Sequence, residues 1–149
     1  MNLILTRLFK SIPHLNSREL DESDFHKLCR REKITLAEMP LKENIYGYYT
    51  NLKGKAYIVI NRNLPKMRWL EVAFHELGHH YLHAPVPRSV FFDSQNLTHR
   101  QESEAQTLAL LALIPKRTLA EIENEPDLVF DYPLHLIEER IKLFHDFKI

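Results

Sequence analysis

Residues 66–82, KMRWLEVAFHELGHHYL, decide how this sequence is read. Pro65, just before them, suits the opening of a helix, and Ala84-Pro85-Val86-Pro87, just after, stops one. Inside that helix His75-Glu76-Leu77-Gly78-His79 forms the H-E-x-x-H pattern. Four residues advance an α-helix by about 400°, so His75 and His79 lie about 40° apart around it and roughly 6 Å apart along it. Two imidazoles on one face can grip a single metal ion. Glu76, turned by about 100°, is placed to hold a water at that ion and take its proton. Random placement of the nine His and fourteen Glu would yield the pattern about 0.05 times in this chain. Its setting between Val72, Phe74 and Leu77 makes packing a poor explanation, because buried polar groups need partners.

A catalytic zinc takes three protein ligands and keeps an open position. Cys29 is the single cysteine, so no thiolate cage or internal disulfide can form, and the third ligand should be His, Glu or Asp. His83 lies about 12 Å along the axis from His75, too far to share the ion. It reads as a helix-end residue that packs or lines the cleft. His79 is also not followed by x-x-Gly-x-x-His, so the metzincin pattern does not apply. The next helix, from Thr98 with Gln101 as in a capping box to Pro115, offers Glu102 and Glu104. Ala105, Leu108, Ala109 and Ala112 mark its buried face, which Glu102 shares. Glu104 is about 200° from Glu102 and points elsewhere. Glu102 is therefore the better ligand, the alternative being an ordinary solvated charge in a first helical turn. Gln106, at i+4, is placed to hydrogen-bond a ligating histidine.

The remainder reads as an α+β domain. A helix is expected over 18–31, with Ser17 as its cap. Strand-like runs follow at 34–36, 45–50 and 55–61, with a hairpin turn at 51–54, and such short connections favour a small antiparallel three-stranded sheet. That sheet should pack on the helical bundle carrying the H-E-x-x-H helix, as in zincins. A loop of about fifteen residues leads to Leu97, a length that usually serves function. A short helix at 118–123 and a last one from Pro133, with Leu134, Ile137, Ile141 and Phe144 on one stripe, complete the chain.

Composition narrows the possibilities. The chain has 149 residues, 44% of them hydrophobic, enough for one core, so residues 1–149 are expected to form a single domain. Lys plus Arg and Asp plus Glu both number 20, which argues against a dedicated nucleic-acid binder. Three glycines leave no phosphate-binding loop. The opening decapeptide lacks the order of a signal peptide, and no apolar run is long enough to span a bilayer. A cytoplasmic protein without membrane contact is expected.

His75-Glu76-Leu77-Gly78-His79, followed by Glu102-Ser103-Glu104-Ala105-Gln106-Thr107-Leu108-Ala109 and a leucine-rich run ending Ile114-Pro115, resembles the ImmA/IrrE family of zinc metallopeptidases. The likeness covers residues 57–115, and Arg140-Ile141 resembles a recurrent Arg-Leu pair. It implies His75 and His79 as zinc ligands, Glu76 as general base and Glu102 as third ligand. The chain departs from the pattern at Gln106, where Asn or Asp is usual, and at Phe74, Leu108 and Ile114, which replace a small residue, Phe and Met. Known substrates of the family are helix-turn-helix repressors, whose cleavage releases mobile-element or stress genes. At this length a repressor partner would be a separate protein.

The expected activity is therefore zinc-dependent peptide hydrolysis, with Mn²⁺ suiting the same donors. The alternative is a metal-containing regulatory interaction module with little proteolysis, against which the intact Glu76 speaks. The strand at 57–60 would receive an extended substrate if it is a sheet edge, and otherwise is core. Tyr81, His83 and His99 are candidate donors to the oxyanion. Residues 88–93, with Phe91 and Phe92, would wall the cleft or anchor locally. His14, His26, His135 and His145 show no ligand spacing.

Overall fold

Helix α3 (Lys66–His83) organises the structure, and the computed structural model describes residues 1–83 and 99–149. The expected helix stop at 84–87, the loop at 88–93 and the cap at Thr98 lie outside the described residues. Before α3 come α1 (Asn2–Ser11), α2 (Glu22–Glu32), β1 (Ile34–Met39), β2 (Gly47–Leu52) and β3 (Lys55–Asn61). After it come α4 (His99–Leu113), α5 (Lys116–Asn124), a short 3-10 helix (Pro126–Asp131) and α6 (Leu134–Phe147). The class is α+β, as the order of elements implied.

The sheet corrects one expectation. Its order is β1-β3-β2, with β2 antiparallel to β3 but β1 parallel to it, so it is mixed rather than antiparallel. Tyr57-Ile58-Val59-Ile60 explains why. Ile58, Val59 and Ile60 are all buried, a continuous run with no exposed face, which suits the central strand. β3 is therefore core, and the edge beside α3 belongs to β2. Lys53 and Gly54, both at positive φ, form the two-residue turn joining β2 to β3, in the geometry that matches strand twist. Gly47 lets β2 approach closely, since a Cβ there would stand 2.6 Å from Val72 Cγ1 of α3.

Three helical details also differ. α1 is an additional helix: Leu5, Leu8 and Ile12 recur at helical spacing and are buried. α2 starts at Glu22 rather than near 18, because Asp21 caps it in a reciprocal capping box with Asp24. In α6 the buried residues are Leu136, Ile137, Arg140 and Leu143, while Leu134 and Ile141 are exposed. The face turned because Arg140 takes a core position. Its guanidinium donates to the backbone oxygens of Ile114 (2.5 Å) and Ile149 (2.9 Å) and to Asn16 Oδ1 (3.2 Å).

α3 packs against the sheet, α1, α2 and α4, and is buried around most of its circumference. Glu71, Glu76 and His79 are buried with the apolar residues, so each raises the question of a partner. No helix among the described residues is long and apolar enough to cross a membrane.

Candidate metal centre

His75 and His79 project from one face of α3, as their spacing requires, with ring centroids 5.0 Å apart. α4 crosses this face and brings Glu102 to both. Glu102 Oε2 lies 2.8 Å from His75 Nε2, and Glu102 Oε1 lies 3.3 Å from His79 Nε2. One carboxylate thus faces the same nitrogen of each ring. Glu76 belongs to the same group, and one donor atom from each of His75, Glu76 and His79 falls within a 4.8 Å cluster. Two imidazoles and a carboxylate beside a second carboxylate are a donor set suited to a divalent metal.

Glu76 carries the clearest mark of a missing ligand. It is buried, and its Oε2 has no hydrogen-bond partner. An orphaned buried carboxylate oxygen is costly unless a further group belongs beside it. Burial pushes the Glu76 carboxyl up to about 7, with the charge of His75 pulling the other way. A carboxyl near neutrality can accept and return a proton. Burial disfavours the His75 imidazolium, but the hydrogen bond to Glu102 and the Glu76 charge outweigh it and lift that group to about 9. Hydrogen bonds from His75 and His79 hold Glu102 well below the usual carboxylate range.

The far nitrogens of both rings are also engaged. His75 Nδ1 lies 2.7 Å from Gln106 Oε1, so the longer side chain at this position still reaches the ring. His79 Nδ1 lies 2.9 Å from His83 Nδ1. Glu104 turns away from Glu102, as its helical phase required, and meets His83 instead, but contrary to expectation Glu104 is the buried one and Glu102 is half exposed. Cys29 is buried, and burial pushes its thiol up to about 11, which agrees with a centre built without sulfur.

A cavity of about 410 Å³ opens over Glu76, His79 and Glu102. Its far wall is the edge strand, with Gly47, Tyr48 and Tyr49. Among the proposed oxyanion donors, His83 lines this cavity and Tyr81 does not. The Tyr81 hydroxyl instead accepts from Arg31 Nη2 at 2.7 Å. His99 is exposed at the start of α4. Sequence reasoning missed Tyr49, whose hydroxyl is 2.9 Å from His80 Nδ1, while His80 Nε2 is 3.1 Å from Glu32. The tyrosine-rich run at 45–50 was the available signal. It also missed His135, whose Nε2 is 2.8 Å from Glu71 Oε2 across 64 residues of sequence.

Known proteins share part of this sequence. The chain is 33% identical over 104 residues to the "Uncharacterized immunity region protein 2" of Bacillus phage phi105. The matched stretch is 68% of this chain and 65% of the phage protein, so the chain spans just under two thirds of that relative's length. The family model for the IrrE N-terminal-like domain of the M78 peptidases matches residues 29–140. That span runs from Cys29 in α2 to Arg140 in α6 and encloses the sheet, α3 and α4. With well over half of its length matched in this way, the chain belongs to the M78 peptidase family.

Proposed function

We propose that this chain is a zinc-dependent endopeptidase, one domain over residues 1–149, acting in the cytoplasm on a helix-turn-helix repressor. The observation that carries the reading is the Glu102 carboxylate, set opposite Nε2 of both His75 and His79 beside the orphaned oxygen of Glu76. His75, His79 and Glu102 would hold the metal, which when bound polarises a peptide carbonyl and acidifies water. Glu76 accepts the proton of the attacking water and returns it to the leaving nitrogen. The substrate lies extended along β2, the sheet edge that walls the cavity, and not along β3. Peptidases of this family are generally metal-dependent. The phage relative's immunity-region name fits a substrate that governs immunity, such as a repressor.

The test compares the native chain with Glu76→Gln, measuring bound metal and cleavage of the regulator encoded beside it. The expected result is about one zinc in each, and at least ~100-fold slower cleavage by the variant. Metal in both with cleavage by neither would favour an interaction module. Native protein that takes up no metal from added zinc overturns the reading.

A further inference from the structure

Two buried carboxylates remain unexplained by this reading. Glu71 is 5% exposed and Glu104 is 8% exposed, and neither belongs to the ligand set. Each stands one intermediary away from a metal-facing histidine. We propose that Glu71 and Glu104 are positioning residues that dictate which ring nitrogen of His75 and of His79 carries the proton. The proposal rests on reading those histidines as metal ligands.

The argument is one of hydrogen-bond polarity. An ionised carboxylate only accepts. Gln106 Nε2 donates to Glu71 Oε2 at 2.9 Å, and Glu139 presents a second carboxylate to the same side chain. Turned the other way, the Gln106 amide would set its oxygen against that negative charge. Its oxygen must therefore face His75, and His75 Nδ1 must be the donor. With a metal between His75 and Glu102, the lone pair of a neutral His75 is then left on Nε2, the nitrogen on the Glu102 side. Glu71 lies one turn before His75 on the same helix, so α3 supplies both ends of this chain.

His79 is set in the same way from α4. His83 Nε2 lies 3.3 Å from Glu104 Oε1 and can only donate to it. His83 Nδ1 is then an acceptor, His79 Nδ1 donates to it, and with a metal bound the lone pair of His79 falls on Nε2. His83 cannot reach the ion, but it orients a residue that can.

Glu71, His135 and Glu139 also lie close enough together to hold a cation. The Arg68 guanidinium already occupies that place, 2.5 Å from Glu71 Oε1 and 3.0 Å from His135 Nε2. The cluster is thus an anchored anion that fixes Gln106, not a second metal site.

The test uses the full chain loaded with zinc and the variants Glu71→Gln and Glu104→Gln, which keep shape but can present an N–H where an acceptor stood. Zinc affinity is read by competition with a chelating dye, and the ring Nδ1 protons by NMR. Zinc binding should weaken about tenfold or more in each variant. Glu71→Gln should lose the Nδ1 proton signal of His75 and keep that of His79, and Glu104→Gln should do the reverse. If Glu71→Gln does not fold, Gln106→Leu, at a half-buried position, breaks the same chain and carries the same expectation. Unchanged affinity with both proton signals retained overturns the proposal even if melting temperatures fall, because only packing would then have been lost. A native chain that binds no zinc overturns the metal reading itself, before any variant is made.

Discussion

Gly78 of α3 sits directly on the backbone of Ala105 of α4: a Cβ on Gly78 would stand 2.8 Å from Ala105 Cα and 2.6 Å from its carbonyl oxygen. The missing side chain lets the two helices meet closely enough for Glu102 and Gln106 to reach His75. Gly78→Ala gains about 1 kcal/mol of helix propensity but forces α4 outward, an overpacking that costs about 1–3 kcal/mol. A net loss of about 1 kcal/mol by urea denaturation is expected, with weaker zinc binding as Glu102 is displaced. A variant that binds zinc like the native chain would show that the close approach does not position the ligand.

Glu102→Gln removes the charge that faces both histidines. Losing an outer partner of a metal ligand costs about 10- to 100-fold in affinity, so altering a proposed ligand should cost at least about 100-fold. Competition with a chelating dye measures this. Retention of native affinity would return Glu102 to the role of a solvated charge in the first turn of α4.

Arg140 is fully buried and joins α6 to the end of α4 and to Asn16 before α2. Burial lowers its guanidinium to about 10. Arg140→Leu fills the space with apolar atoms but leaves the Ile114 oxygen without its side-chain donor, while Asn16 Oδ1 keeps only the Lys116 N–H. A loss of about 3 kcal/mol in the free energy of unfolding is expected. A loss below about 1 kcal/mol would mean that water or a shifted backbone replaces the guanidinium.

Asp24 accepts two hydrogen bonds from Arg18, each 2.9 Å, and another from the Asp21 backbone. The Arg18 guanidinium, then the Asp21 N–H, hold its carboxyl below the usual range against the opposing effect of burial. A carboxyl lowered by folding stabilises the fold above its unfolded value near pH 4, and that stability fades as pH falls toward its folded value. Asp24→Asn should therefore cost about 1 kcal/mol at pH 7, with the gap to the native chain narrowing by pH 3. Urea midpoints at the two pH values decide it, and an equal gap at both would remove the charge from the explanation.

Much of the candidate site was legible because helical phase is local. The interval between His75 and His79, and that between Glu102 and Glu104, follow from residues per turn alone. The bounds of α3 and β3 were read to within a residue, since Pro65 and an unbroken apolar run are strong local signals. The direction of β1 was not legible. It depends on β3 inserting between two strands that precede it in the chain, and a short connection restricts that order only weakly. The buried face of α6 was misjudged because Arg140 looks polar until its acceptors, Ile114 and Asn16 from distant segments and Ile149 beyond the same helix, are in place.

The sequence by itself determined that one helix carries two histidines and a glutamate on neighbouring faces, and that Glu102 and Glu104 point to opposite sides of the next helix. Only the tertiary structure decided what those faces meet. Gln106 reaches Glu71 across 35 residues, His83 reaches Glu104 across 21, and β2 forms the cavity wall opposite α3. Periodicity fixes directions around one helix axis. The approach of a second axis depends on side-chain volume at the crossing, and here on the absence of a Cβ at Gly78.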